Sequence, residues 1–209
     1  MGLDMYLYAT KTLSSFKKKE KLYIDYLNTL NEPDVDTAGG LFISKYFDYG
    51  IAIHDVLSNQ LPKLDGQVGD ITMVTRINGE WQITTESMYW RKANQLHSWF
   101  VKNCQGSIDD CANYIINIDS LLSLNNDIKL ILYGTKFPDD FENSMTWQAG
   151  KKSCKLAHDL LPTQNGFFFG GTDYNRHYFW DLKTTRETLR SILKKATYSN
   201  WVFSYHSSW

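Results

Sequence analysis

The sequence predicts an α+β fold: a single domain over residues 1–209, a mixed or antiparallel sheet of about five or six strands, and helices packed mainly on one side. Three observations carry that expectation. Residues Gly2 to Thr10 alternate, with Leu3, Met5 and Leu7 on one side and Asp4, Tyr6 and Tyr8 on the other, which is the period of a half-buried strand. Asn78-Gly79 stands between two more alternating runs, Met73-Thr75-Ile77 and Trp81-Ile83-Thr85. Both central residues of a type I′ turn need positive φ, so this dipeptide marks a β-hairpin. Leu189, Ile192, Leu193 and Ala196 recur at helical spacing behind Thr184-Thr185-Arg186-Glu187, which reads as a capping box, and a helix is expected over 185–196.

The remaining elements follow in chain order. Lys17 to Glu20 is a short charge run, read as the solvated start of a helix over 18–31. Residues 32–40 read as a loop, in which Asp34 and Asp36 lack the spacing of a calcium loop. Helices are expected near 41–48 and 51–60, then a turn region before the hairpin. Ser87 reads as the N-cap of a central helix, Tyr89–Phe100. Asp109-Asp110 reads as a helix start and 114–118 as a strand. An apolar helix capped by Asp119 or Ser120 runs to Tyr133, with a break expected at Asn125-Asn126. Residues 134–150 form a loop and 151–161 a helix. In Leu161–Tyr174, glycines bracket Phe167-Phe168-Phe169, the pattern of a buried central strand ended by a glycine turn. Short strands are expected at 177–182 and 201–205.

Composition limits the function. The length suits a domain that buries a core without disulfides. Hydrophobic residues make up 43 % and charged residues 22 %, an ordinary globular balance. Aromatics reach 15 %, which favours a ring-rich core or a stacking surface. A net charge of −1 lacks the basic field of a general nucleic-acid binder, and no sequence-specific nucleic-acid partner is expected. Cys104, Cys111 and Cys154 form no CxxC pair, and no signal peptide is visible, so a reducing cytoplasm is the expected setting. No apolar run approaches ~18 residues, and no membrane span is expected.

No Gly-x-Ser-x-Gly elbow or His-Glu-x-x-His motif is present, and Gly170-Gly171-Thr172 lacks the spacing of a P-loop. No catalytic residue, metal or cofactor is therefore assigned. The candidate binding block is Tyr89–Phe100, Tyr-Trp-Arg-Lys-Ala-Asn-Gln-Leu-His-Ser-Trp-Phe. As a helix it would place Tyr89, Ala93, Leu96 and Phe100 on a core stripe, with Trp90, Asn94 and His97 beside it. Aromatic residues at this spacing most often fill a core. The binding reading assigns Trp90 to stacking, Arg91 to a forked phosphate contact and Lys92 to charge neutralisation. Asn94 and His97 would contact the ligand as well, Asn94 and Gln164 being able to read a base or ribose edge, with Thr163, Gln164 and Thr172 in support.

Met-Gly-Leu-Asp-Met-Tyr-Leu at the start, the Tyr89–Phe100 block and Leu-Pro-Thr-Gln-Asn-Gly-Phe-Phe-Phe-Gly from Leu161 together resemble a family of small cytosolic bacteriophage and bacterial proteins of uncharacterised function. The resemblance implies a phage or prokaryotic origin and, if phage-encoded, the host cytoplasm. It carries over no catalytic residues. Some small phage proteins sequester nucleotide immune signals. By that analogy the expectation is non-catalytic binding of a nucleotide-like, phosphate-bearing small molecule by a homo-oligomer. The alternatives are an enzyme with His97 as acid or base, and an interaction module that blocks a host factor through an aromatic patch.

Overall fold

A computed structural model describes residues 2–30, 41–42, 55–196 and 200–209. Six strands form one sheet in the order β2-β3-β4-β1-β6-β5. They are β1 (Asp4–Thr12), β2 (Leu41–Phe42), β3 (Asp70–Ile77), β4 (Glu80–Arg91), β5 (Tyr114–Ile116) and β6 (Val202–Ser208). The α-helices are α1 (Lys18–Leu27), α2 (Asn94–Cys104), α3 (Ile118–Tyr133), α4 (Lys151–Leu160) and α5 (Arg176–Ala196), with a π-helical turn at Val56–Gln60. The α+β class is as the sequence predicts. Asp34, Asp36 and most of the helices expected near 41–48 and 51–60 lie outside the described residues; Leu41–Phe42 itself is strand. Among the described residues, no helix is long and apolar enough to cross a membrane.

The chain forms two compact units. One comprises Tyr8–Ser87 and Lys195–Phe203; the other comprises Met1–Leu7, Met88–Lys194 and Ser204–Trp209.

In the first of these, β3 and β4 pair antiparallel around the Asn-Gly turn, with Ile77 opposite Glu80. Asn78 and Gly79 take φ of 52° and 83°, as a type I′ hairpin requires. The charge run at Lys17–Glu20 is not wholly solvated. Glu20 turns inward, 3 % exposed, with Oε1 3.0 Å from Nζ of the equally buried Lys11. Removing both charges from water costs several kcal/mol, on the order of the penalty known for buried pairs. The pair offsets that cost with further contacts: the Ser14 N–H donates to Glu20 Oε2 at 2.8 Å, and the Lys11 ammonium lies 5.5 Å from the Trp201 ring centroid. The Tyr23 hydroxyl donates to the Leu57 carbonyl, and burial pushes its phenol up to about 12.

The central helix begins later than the sequence suggests. Ser87 is a strand residue, its hydroxyl donating to the Val68 carbonyl, and strand β4 continues through Tyr89, Trp90 and Arg91. The reason is alternation: Trp90 is buried while Tyr89 and Arg91 face outward. The strand-to-helix corner is Lys92-Ala93. Lys92 has φ 60°, and its N–H donates to the Leu3 carbonyl at 2.8 Å. Ala93, at φ −80° and ψ 67°, forms an inverse γ-turn closed by the Asn94 N–H on the Lys92 carbonyl. Helix α2 starts only there.

The strand expected at Phe167–Phe169 is a turn. The Phe169 N–H donates to the Gly166 carbonyl, leaving Phe167 97 % exposed while Phe169 packs inward. Buried Asn94 holds this loop shut. Its Nδ2 donates to the carbonyls of Phe169 (3.0 Å) and Gly171 (2.8 Å), and its Oδ1 accepts the Gln164 N–H at 2.9 Å. These contacts tie the loop backbone to a helix, and the Phe168 carbonyl accepts the Leu3 N–H at 3.1 Å just before β1.

The strand expected at 177–182 belongs to α5. Asn175 caps that helix, its Oδ1 accepting the N–H groups of His177 and Tyr178. Thr184–Glu187 is therefore helix interior and not a capping box; the Thr184 hydroxyl donates back to the Trp180 carbonyl. Helix α3 runs unbroken through Asn125-Asn126 from an Asn117 cap, and Asp109-Asp110 lies in the loop between α2 and β5.

Candidate functional site

Arg91 and Lys92 leave the end of β4 at the wall of a cavity of about 380 Å³. Gln95 of α2 and the Gly170–Asp173 stretch supply further walls; Asn175, His177, Tyr178 and Asp181, from the start of α5, complete the lining. Every one of these residues lies within one compact unit.

The lysine stem is closely fitted. Gly170 has φ 86°, and a Cβ there would stand 3.1 Å from Lys92 Cβ and 3.3 Å from the Lys92 carbonyl oxygen. Both the backbone conformation and the close approach call for glycine. Asn94 fixes the neighbouring Gly171 carbonyl, so it shapes the wall without lining it.

Arg91 keeps most of its guanidinium in solvent. Its side chain is 63 % exposed, and its nearest carboxylate, Asp4, is 3.9 Å from Nε. So loose a pair contributes little and leaves the fork open to a ligand. Asp181 behaves differently. Burial pushes its carboxyl up to about 7, while the Gln95 amide, donating to Oδ2 at 3.2 Å, pulls the other way. Loss of hydration penalises the charged form more than one neutral hydrogen bond restores it. The Tyr178 hydroxyl donates to the Leu161 carbonyl at 2.8 Å, and burial keeps it protonated.

The structure divides the residues singled out by sequence. Arg91 and Lys92 line the cavity. Trp90 does not; it is 4 % exposed, its indole N–H donating to Thr185 Oγ1 at 2.7 Å and its ring tilted against Phe100. Asn94 is occupied by the loop. His97 is sealed at 0 % exposure. Its Nδ1 meets the Tyr205 hydroxyl at 2.8 Å and its Nε2 meets Asp109 Oδ2 at 3.0 Å. Burial keeps the Tyr205 phenol protonated. Thr163 donates to the Thr172 carbonyl across the base of the loop. Thr163, Gln164 and Thr172 frame that loop and are not among the lining residues.

Sequence reading missed Gln95, Asp173, Asn175, His177, Tyr178 and Asp181. His177 and Asp181 share a face only on a helix, at i and i+4, and a strand assignment hid that. Among the described residues, no group of three or more His, Cys, Asp or Glu side chains is placed to hold a metal ion.

The fold and the cavity define an α+β protein with a small cavity of mixed lining, walled in part by two consecutive cations. No family model matches the chain, and no curated protein or solved structure does either.

Proposed function

We propose that this protein binds a nucleotide-like, phosphate-bearing small molecule in the cavity without converting it. The observation that supports this most is the Arg91-Lys92 pair on the cavity wall, with Lys92 held in left-handed backbone. A lysine in that conformation costs about 1–2 kcal/mol, a strain that tends to persist where side-chain placement matters. The arginine fork suits two phosphate oxygens and the lysine neutralises a further charge. The 21-residue helix α5 begins at the same wall, and its dipole favours an anion there. Asn175 already takes two of its first N–H groups, so the helix contributes field more than donors. The volume falls in the range of small-molecule sites, roughly 300–1,000 Å³. The phage resemblance supplies the setting: sequestration of a nucleotide signal in the host cytoplasm by a homo-oligomer.

The test is calorimetric titration with a nucleotide panel, followed by mass spectrometry of the ligand released on heating. Unchanged ligand is expected, with an affinity that falls by about 10- to 100-fold in Arg91→Ala, the loss of a charge-assisted hydrogen bond. Equal affinity in that variant, or no binding across the panel, refutes the reading.

One observation favours a second reading. A carboxyl near neutrality in a cavity is suited to acid–base chemistry, so an enzyme acting through Asp181 is the alternative. His97, sealed and bonded through both nitrogens, does not supply that role. Recovery of a product in place of the ligand would favour the enzyme.

A further inference from the structure

Arg91 and Lys92 account for one end of the cavity. The Gln95–Asp181 pair is not explained by packing. Gln95 is 3 % exposed, yet within the protein it makes one side-chain hydrogen bond, from Nε2 to Asp181 Oδ2; its Oε1 has no partner among the described residues. Asp181 uses only Oδ2, and its Oδ1 likewise has no protein partner among the described residues. Asn94, the residue before Gln95, is equally buried and has both side-chain atoms bonded. Gln95 Oε1 is not among the fully occluded partnerless atoms, so it opens on the cavity, where water or a ligand group can meet it. Both unpartnered atoms belong to residues on the cavity wall.

The chemistry of that wall narrows what meets them. The ring-bearing residues lining the cavity are His177 and Tyr178, and the Tyr178 ring is packed edge-on against Tyr174 and Phe179. No pair of rings stands ready to sandwich a base. An amide oxygen beside a carboxyl instead suits hydroxyl groups, which both donate and accept. Resting on the anion-binding reading above, we propose that Gln95 and Asp181 form a hydroxyl-binding subsite that selects a phosphorylated sugar, its phosphate lying at Arg91 and Lys92. The sugar is either the ribose of a nucleotide or a free sugar phosphate.

The charged and titratable groups sharing this cavity with Asp181 are Arg91, Lys92, Asp173, His177 and Tyr178. Asp173 is the one other carboxylate on the wall. Burial raises the Asp181 carboxyl to about 7, so its protonated form, which limits repulsion of the ligand phosphate and adds a hydroxyl donor, is well populated at neutral pH.

Calorimetry with inorganic phosphate, ribose 5-phosphate and AMP at pH 7 tests the subsite on the full chain. Wild type is expected to bind ribose 5-phosphate about tenfold or more tightly than phosphate, equivalent to one or two added hydrogen bonds. That advantage should shrink to roughly threefold or less in Gln95→Ala and Asp181→Ala, with phosphate affinity nearly kept. Asp181→Asn preserves shape and the Gln95 contact, and so guards against a variant that merely misfolds; it should retain part of the advantage. AMP binding more tightly than ribose 5-phosphate identifies a nucleotide as the source, and equal binding a free sugar phosphate. A sugar advantage unchanged in all three variants, or absent in wild type, overturns the subsite while leaving anion binding intact. If none of the probes binds wild type, the anion-binding reading fails and the subsite falls with it.

Discussion

Gln95 and His97 sit two residues apart on one helix, both nearly sealed from water, and they serve opposite ends. His97 is bonded at both ring nitrogens, to a phenol that is itself buried and to a carboxylate that also accepts the Trp209 indole N–H. Gln95 has half of its amide unpartnered beside a cavity. Buried polarity alone does not mark a site. A saturated group specifies the fold, whereas an unsaturated one beside open space leaves room for a ligand.

That contrast can be broken most directly at His97. His97→Ala strands a buried phenol hydroxyl and removes the partner of Asp109, so urea denaturation should show a loss of about 3 kcal/mol. The folded fraction should still bind phosphate esters as wild type does. An affinity that collapses along with stability would erase the distinction between the two residues.

Asp181 gives a smaller, pH-dependent effect. Its folded pKa is raised from 3.8 to about 7, so the folded protein holds this proton more tightly than the unfolded chain. The associated stability is fully present below about pH 4 and is lost as pH rises through 7. Asparagine does not ionise, so Asp181→Asn should match wild type near pH 4 and exceed it by on the order of 2 kcal/mol at pH 8. Thermal unfolding of both proteins across that range measures the difference. A constant gap would mean the carboxyl is well hydrated and the wall less dry than its burial implies.

The smallest effect sharpens the comparison. Lys92→Gly relieves left-handed strain but enlarges the unfolded ensemble, so stability should shift by no more than about 1 kcal/mol, toward gain. Affinity for a phosphate ester should fall in the same variant. Stability and binding moving in opposite directions is the signature of strain kept for function. A large loss of stability would show instead that the lysine stem packs the loop.

What could be read beforehand was local. The alternation of β1 and the Asn78-Gly79 turn need only neighbouring residues, and both stand in the structure. The failures are long-range. Tyr89-Trp90-Arg91 fits strand alternation as well as a helical stripe, and the deciding feature is a left-handed Lys92 that no glycine announces. Phe167-Phe168-Phe169 has the composition of a core strand, yet Asn94, more than seventy residues earlier, closes it into a turn. Tyr178, Phe179 and Trp180 carry high strand propensity, but packing of Tyr178, Phe179 and Leu182 in the core places them on α5. The candidate site divides the same way. The two cations on its wall adjoin in sequence. Gln95 and Asp181 come together only through folding, and a carboxyl shifted by dehydration leaves no trace in residue spacing.

The unit that holds the cavity is threaded from Met1–Leu7, Met88–Lys194 and Ser204–Trp209. A clone of residues 88–194 would encode every lining side chain and still lack Leu3, whose carbonyl receives the Lys92 amide, and Tyr205, against which His97 is braced. Deletion mapping would therefore disrupt the cavity wherever the gene was cut, and would point to no minimal fragment. Only point substitutions in the intact chain can separate recognition from architecture here.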